Sequence, residues 1–183
     1  MKRCAWPKTD LEIKYHDEEW GTVSKDNRYM FEMLVLEMMQ AGLSWRTILE
    51  KRENYRKAFH NFEVDKILKM DDLEKEALFE NTGIIRNKLK INAIFNNAKI
   101  VSEMKPTLSD FIWSYTDHKQ IVNDVKNYED VASSSDLSTK ISNDLKKMGF
   151  KFVGPTIIYS YLHAIGMVDD HENTCDFKTK SQT

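Results

Sequence analysis

The chain has 183 residues, 41% hydrophobic and 31% charged, enough for one globular domain, with or without a small second lobe, around a sizeable core. Lys and Arg number 27 against 29 Asp and Glu, a net charge of −2, which excludes a global basic field but leaves room for one DNA-gripping face. No apolar run reaches the roughly eighteen residues of a spanning helix. The opening M-K-R-C-A-W-P-K leads into polar sequence instead of a signal-peptide core, and Cys4 and Cys175 are too few for a disulfide framework, so a cytoplasmic location is expected.

In chain order, Asp10 to His16 reads as a short capped helical turn closing toward D-E-E-W-G at Asp17–Gly21. Cys4, Trp6, Tyr15, His16 and Trp20 crowd this region with aromatic and metal-competent side chains. Two central helices follow, from Tyr29 to about Phe59. The stretch from Met30 to Gln40 is apolar on nearly every side, the pattern of a core helix, yet it contains Glu37 on the face of Met30, Met33 and Leu34. Burying a lone carboxylate costs several kcal/mol, roughly, so Glu37 is paired with an Arg, a Trp or a backbone N–H, neutralised, or kept for chemistry. Gly42 reads as lying past the helix end and Ser44 as the N-cap of a helix starting at Trp45. A buried acid beside an indole makes a pocket for a flat, polar-edged, cationic ligand.

Further on, the Asp71-x-x-Glu74 capping box opens a helix through Phe79 that Gly83 stops. Ile85, Leu89, Phe95, Ala98 and Val101 recur at helical spacing before Pro106, and Thr107-x-x-Asp110 caps another helix. His118–Ser135 reads as an exposed polar excursion. Neither β alternation nor an internal repeat is evident, so an all-α fold and a single domain over 1–183 are expected, with the polar tail 176–183 disordered. Three basic clusters, Lys51-Arg52 with Arg56-Lys57, Arg86 with Lys88 and Lys90, and Lys146-Lys147 with Lys151, are each either a solvated helix face or a phosphate track.

The stretch from Leu137 to Gly166 reads helix, M-G-F-K-F-V-G-P-T, helix. Gly149 can take the left-handed position, and Gly154-Pro155 opens the second helix. Such a turn is an ordinary αα-hairpin, or a phosphate-binding helix N-terminus flanked by lysines. His171 and Cys175 lie four apart, half of a tetrahedral zinc set; the only other cysteine, Cys4, lies near His16 and would complete it. A Cys4–Cys175 disulfide and two unrelated thiols are the alternatives.

Taken together, Y-H-D-E-E-W-G at Tyr15–Gly21, L-E-M-M-Q-A-G-L-S-W at Leu36–Trp45, K-R-E-N-Y-R-K-A-F at Lys51–Phe59, G-I-I-R-N-K at Gly83–Lys88, F-I-W-S-Y at Phe111–Tyr115 and G-F-K-F-V-G-P-T at Gly149–Thr156 resemble the DNA-3-methyladenine glycosylase I family from Cys4 to Cys175. The resemblance implies an all-α, helix-hairpin-helix glycosylase-like domain with zinc near its joined termini, acting as a monomer on alkylated double-stranded DNA. Zinc would be held by Cys4, His16, His171 and Cys175, and the 3-methyladenine base by Glu37, Tyr15, Trp45 and Trp6, with Glu37 also the catalytic candidate. The hairpin residues Gly149, Lys151, Gly154 and Thr156 would grip DNA, and Thr156 stands where lyase-competent relatives carry a lysine. Asp169 and Asp170 are left to cap, to orient His171, or to assist catalysis. A catalytic zinc hydrolase and a non-catalytic damage-binding module are the rival classes.

Overall fold

The computed structural model describes residues 1–180; the predicted disorder of 181–183 lies outside the described residues. Its helices are α1 (Asp10–Glu18), α2 (Asn27–Gln40), α3 (Trp45–Ala58), α4 (Val64–Leu68), α5 (Asp72–Glu80), α6 (Lys88–Glu103), α7 (Leu108–Ser114), α8 (Asp136–Lys147) and α9 (Pro155–Ala164). The architecture is therefore mostly helical. It departs from pure α in one place, where β1 (Ile121–Val122) pairs in parallel with β2 (Val168–Asp169), register Ile121 to Val168.

α2 is the axis of the molecule. Every residue from Met30 to Met39 is buried, and the helix packs against α3, α6, α7 and α9. Fully burying each such Met, Leu or Phe contributes roughly 1.5–3 kcal/mol, which is why so apolar a helix sits at the centre. Asp26 caps its start by accepting from the Tyr29 N–H. Its end comes at Ala41, with Gly42 at φ +81° just beyond and Ser44 capping α3, as the sequence predicts.

The other sequence boundaries hold with specific exceptions. α1 starts from a Thr9–Glu12 capping box and runs two residues past His16. The Asp71–Glu74 box opens α5, but Asn81, not Gly83, ends it. On α6 the buried apolar residues are Ile91, Ala93, Ile94 and Ala98, whereas Leu89 is 73% exposed and Ile85 precedes the helix. The 118–135 segment is anchored, not a free excursion: it supplies β1, buries Val125 and lays Tyr128 against Trp6 and Trp20. The chain ends are joined as well, since the Lys2 N–H donates to Asp176 Oδ2 at 2.7 Å and the Asp176 N–H to Lys2 O at 2.9 Å. Lys178 donates to the carbonyls of Asn123 and His171, so 176–179 is tied down where polar composition predicts disorder.

Candidate active site and metal-binding cluster

A small cleft of ≈ 120 Å³ opens between α1, the C-terminal half of α2, the start of α3 and α9. That is below the range of about 300–1,000 Å³ typical for drug-sized ligands and suits a single heterocycle. Trp6, Tyr15, Trp20, Trp45 and Tyr128 form its aromatic walls, and Glu37 and Gln40 its acidic and amide side. The Tyr15 and Trp45 rings are 5.1 Å apart at 58°, the Trp6 and Trp20 rings 5.3 Å apart at 69°.

Three polar atoms of this cleft are buried without a hydrogen-bond partner: Trp6 Nε1, Trp45 Nε1 and Glu37 Oε2. An unmade hydrogen bond in a buried site costs roughly 1–3 kcal/mol, so orphaned donors and an orphaned acceptor facing one small cleft describe a site shaped for a polar-edged ligand. Burial pushes the Glu37 carboxyl up to about 8, leaving it largely protonated at neutral pH while the cleft is empty. A cationic ligand would reverse that preference and draw out the carboxylate. Burial, followed by the neighbouring Glu37, also holds the Tyr15 phenol well above its ordinary range.

Neighbouring positions on α1 face two different sites. Tyr15 lines the cleft, while His16 joins Cys4 and Cys175 in a buried group whose ligand atoms all lie within 4.8 Å of one another. Both cysteines are free thiols, which removes the disulfide alternative. The three residues can hold a metal ion. His171 stands beside them, its ring 4.8 Å from that of His16; its Nδ1 pairs with Asp169 Oδ1 at 2.7 Å, and its Nε2 is buried with no partner. His16 is held in the same way, Nδ1 to Asp17 Oδ1 at 2.7 Å, with Arg3 clamping Asp17 from the other side. A carboxylate on one imidazole nitrogen is the arrangement that fixes the other for a metal. Without a cation, burial pushes the Cys4 thiol up to about 12; a cation would hold it as thiolate. Trp20 packs edge-on against His171 at 4.5 Å, so the cluster and the cleft share a wall.

α8 and α9 pack on each other across the Met148–Gly154 turn. Gly149 takes φ +95°, which a side chain would resist, and Phe150 tucks into the core. Buried Asn97 on α6 clamps the turn by donating to Lys151 O at 3.1 Å and accepting from the Lys151 N–H at 2.9 Å. Ser142 donates to Val153 O at 2.6 Å. Among the described residues, the N–H groups of Phe152, Val153 and Gly154 find no protein acceptor, and Lys151 and Thr156 are exposed beside them. Free N–H groups at the mouth of α9, with a lysine, make an anion-binding surface.

The chain matches the sequence profile of the Methyladenine glycosylase family over residues 6–179. The chain belongs to this family. It is 46% identical to a DNA-3-methyladenine glycosylase of Haemophilus influenzae over 97% of this chain and 98% of the relative. It is 44% identical to DNA-3-methyladenine glycosylase 1 of Escherichia coli, over 96% of each. Among solved structures, a 3-methyladenine DNA glycosylase I superposes with a TM-score of 0.93 at 43% identity, covering 97% of this chain and all of that one. A variant of 3-methyladenine DNA glycosylase I in complex with 3-methyladenine superposes with a TM-score of 0.93 at 35% identity, over 98% and 99% of the two chains.

The family fold thus brings Trp6, Tyr15, Glu37 and Trp45, scattered over forty positions of sequence, into one cleft. It gathers Cys4, His16 and Cys175, with His171 alongside, and leaves Gly149, Lys151, Gly154 and Thr156 on a separate turn. Asp169 orients His171, whereas Asp170 accepts from Tyr159, His163 and Asn123. Sequence reading missed Trp20, Gln40, Tyr128, Ser160 and His163 as lining residues. Of these, Trp20 stood in the aromatic crowd near the N-terminus, and His163 left a sign as an imidazole in the mostly apolar Ile157–Ala164 run.

Proposed function

We propose that this protein is a base-excision repair glycosylase: it flips 3-methyladenine out of alkylated double-stranded DNA and hydrolyses the N-glycosidic bond, leaving an abasic site. The observation that carries the reading is a base-sized aromatic cleft with three unpartnered polar atoms, Trp6 Nε1, Trp45 Nε1 and Glu37 Oε2, in a chain of this family. A base stacked in a duplex cannot be reached by such a cleft, so the nucleotide must be extruded, with aromatic stacking offsetting an unstacking cost of a few kcal/mol, roughly.

Within that reading, Trp45, Trp6 and Tyr15 stack on the flipped base, and Glu37 meets its amino edge. Methylation at N3 makes the glycosidic nitrogen part of a cation, so the leaving base departs neutral and needs selection more than acid catalysis. The positive base favours the ionised form of Glu37, and a cation–π contribution on the order of 0.5–2 kcal/mol from the indoles adds to the discrimination. The turn at Gly149–Thr156 is the helix-hairpin-helix DNA grip, its free N–H groups and Lys151 taking phosphate oxygens. Thr156 supplies no amine for a Schiff base, which makes the enzyme monofunctional.

Zinc fits the Cys4, His16, His171 and Cys175 set: two thiolates and two carboxylate-oriented imidazoles, with a buried His171 Nε2 that otherwise has no partner. Bound there, it would supply a structural cross-link between the two ends of the chain, held by Cys4, His16, His171 and Cys175. Such a cross-link would steady the Tyr15 and Trp20 wall of the cleft. The protein is assigned as a single domain and a monomer. No helix among the described residues is long and apolar enough to cross a membrane, and the cytoplasm, where DNA and reducing conditions coincide, suits the free thiols.

The test is chromatography of bases freed from N-methylated duplex DNA. Wild-type protein is expected to release 3-methyladenine, and Glu37→Gln to release it at least ~10²-fold more slowly with DNA affinity retained. Equal losses in release and DNA affinity would overturn the division between cleft and hairpin. Elemental analysis is expected to find one zinc per chain, lost in Cys175→Ala.

A further inference from the structure

Hydrolysis needs an acceptor for the proton of the attacking water, and most of the cleft cannot provide one. Glu37 is engaged at the amino edge of the base in the reading above, so its carboxylate is not free to take the proton of the water. Burial raises the Tyr15 and Tyr128 phenols, Gln40 and Ser160 are weak acceptors, and the indoles have none. Among the described residues lining the cleft, that leaves His163.

His163 lies on α9, 6% exposed, with Nε2 2.7 Å from Asp170 Oδ2. Asp170 is itself fixed, Oδ2 accepting from the Tyr159 hydroxyl at 2.7 Å and Oδ1 from Asn123 at 2.7 Å. A carboxylate held so firmly selects the tautomer with the proton on Nε2 and leaves Nδ1 as a lone pair. Nδ1 makes no hydrogen bond among the described residues. The Tyr159 ring at 4.5 Å and Trp20 at 5.5 Å brace the imidazole.

We propose that His163, oriented by Asp170, is the general base of this enzyme. The inference rests on the glycosylase reading. As the C1′–N9 bond breaks, its electron pair goes to N9 and neutralises the cationic base. Water oxygen bonds to C1′, and its proton passes to His163 Nδ1, leaving the imidazolium paired with Asp170. The other titratable groups lining the cleft are Glu37 from α2, Tyr15 from α1 and Tyr128 from the 118–135 segment; Tyr159 on α9 and Asp170 meet the His163 ring outside the cleft lining.

The experiment compares wild type and His163→Gln in single-turnover release of 3-methyladenine from methylated duplex DNA at neutral pH, alongside affinity for the free base. The variant is expected to run on the order of 10²-fold slower than wild type and to bind free 3-methyladenine within about twofold of it. A variant rate within threefold, or a fall in base affinity as large as the fall in rate, would overturn the role. Absence of release by wild type would instead overturn the glycosylase reading, and this inference with it.

Discussion

α2 buries two glutamates five positions apart, Glu32 at 0% and Glu37 at 3% exposure, and treats them in opposite ways. Glu32 Oε1 accepts from Arg52 Nε and Arg56 Nε at 2.8 Å each, and Oε2 from Arg28 Nη1 at 2.9 Å. Arg52 also reaches Glu19 at 2.8 Å, and Glu19 accepts from the Tyr29 hydroxyl, so the network joins α1, α2 and α3. Burial alone would raise the Glu32 carboxyl; the guanidinium groups of Arg52 and Arg56 hold it below its usual range. Glu37 has no such partner and is pushed up to about 8. The same residue type on the same helix is a structural rivet in one place and a buried carboxyl with an unpartnered oxygen in the other. What separates them is whether the protein supplies the cation itself or leaves it to a ligand.

The sharpest way to break this contrast is Glu32→Gln. Removing one partner of a buried ion pair strands the others, and the expected loss is ~3–5 kcal/mol, read by thermal or denaturant unfolding. Because the carboxyl is lowered in the folded state, its contribution is present above the unfolded-state value and fades as pH falls through the lower folded one. The gap between variant and wild type should therefore be full at neutral pH and close in acid. A loss below 1 kcal/mol at pH 7 would mean the network is not holding α1 to α3.

Glu37→Gln should move stability in the other direction. The folded state keeps a proton on Glu37 that the unfolded chain releases above about pH 4.5, so wild-type stability drains as pH rises from there toward 8. A neutral amide escapes this. The variant should be more stable by ~2–3 kcal/mol at pH 7 and indistinguishable from wild type near pH 4. Greater stability together with poorer base release would mark Glu37 as a residue kept for function at the expense of the fold. A variant less stable than wild type at pH 7 would show that Glu37 is paired after all.

The asymmetry also explains what the sequence could reveal. An acid inside Met30–Gln40 is visible from hydropathy, and capping chemistry at Ser44 and Asp71 located helix starts to the residue. Glu37 was legible because nothing charged lies three or four places from it on the helix. Glu32 was not singled out, since two of its three arginines come from α3, twenty and more residues away. For the same reason Tyr128 was invisible: the polar stretch carrying it gives no hydropathy signal, and its place in the cleft follows from the β1–β2 pairing that anchors 118–135. Cys4 and Cys175 could be matched because so few cysteines exist, and joined termini were the consequence.

The smallest expected effect tests the basic cluster at Lys51–Lys57, which composition alone assigns either to solvent or to a phosphate track. Neither holds for its arginines: Arg52 is 8% exposed, and Arg56, with its side chain 31% exposed, turns inward to Glu32 and also pairs with Glu53. Arg56→Ala leaves Glu32 with Arg52 and Arg28, and half-exposed pairs are discounted by solvent, so the expected cost is ~1 kcal/mol. The variant's affinity for DNA should keep the wild-type salt dependence, because a side chain committed to Glu32 releases no counterion from DNA. Lys151→Ala should instead flatten that dependence by about one unit of slope, because Lys151 lies exposed at the open N–H groups of the hairpin. If the two variants exchanged these behaviours, the DNA face would lie on α3, and the phosphate grip would have to be moved there from the α8–α9 turn.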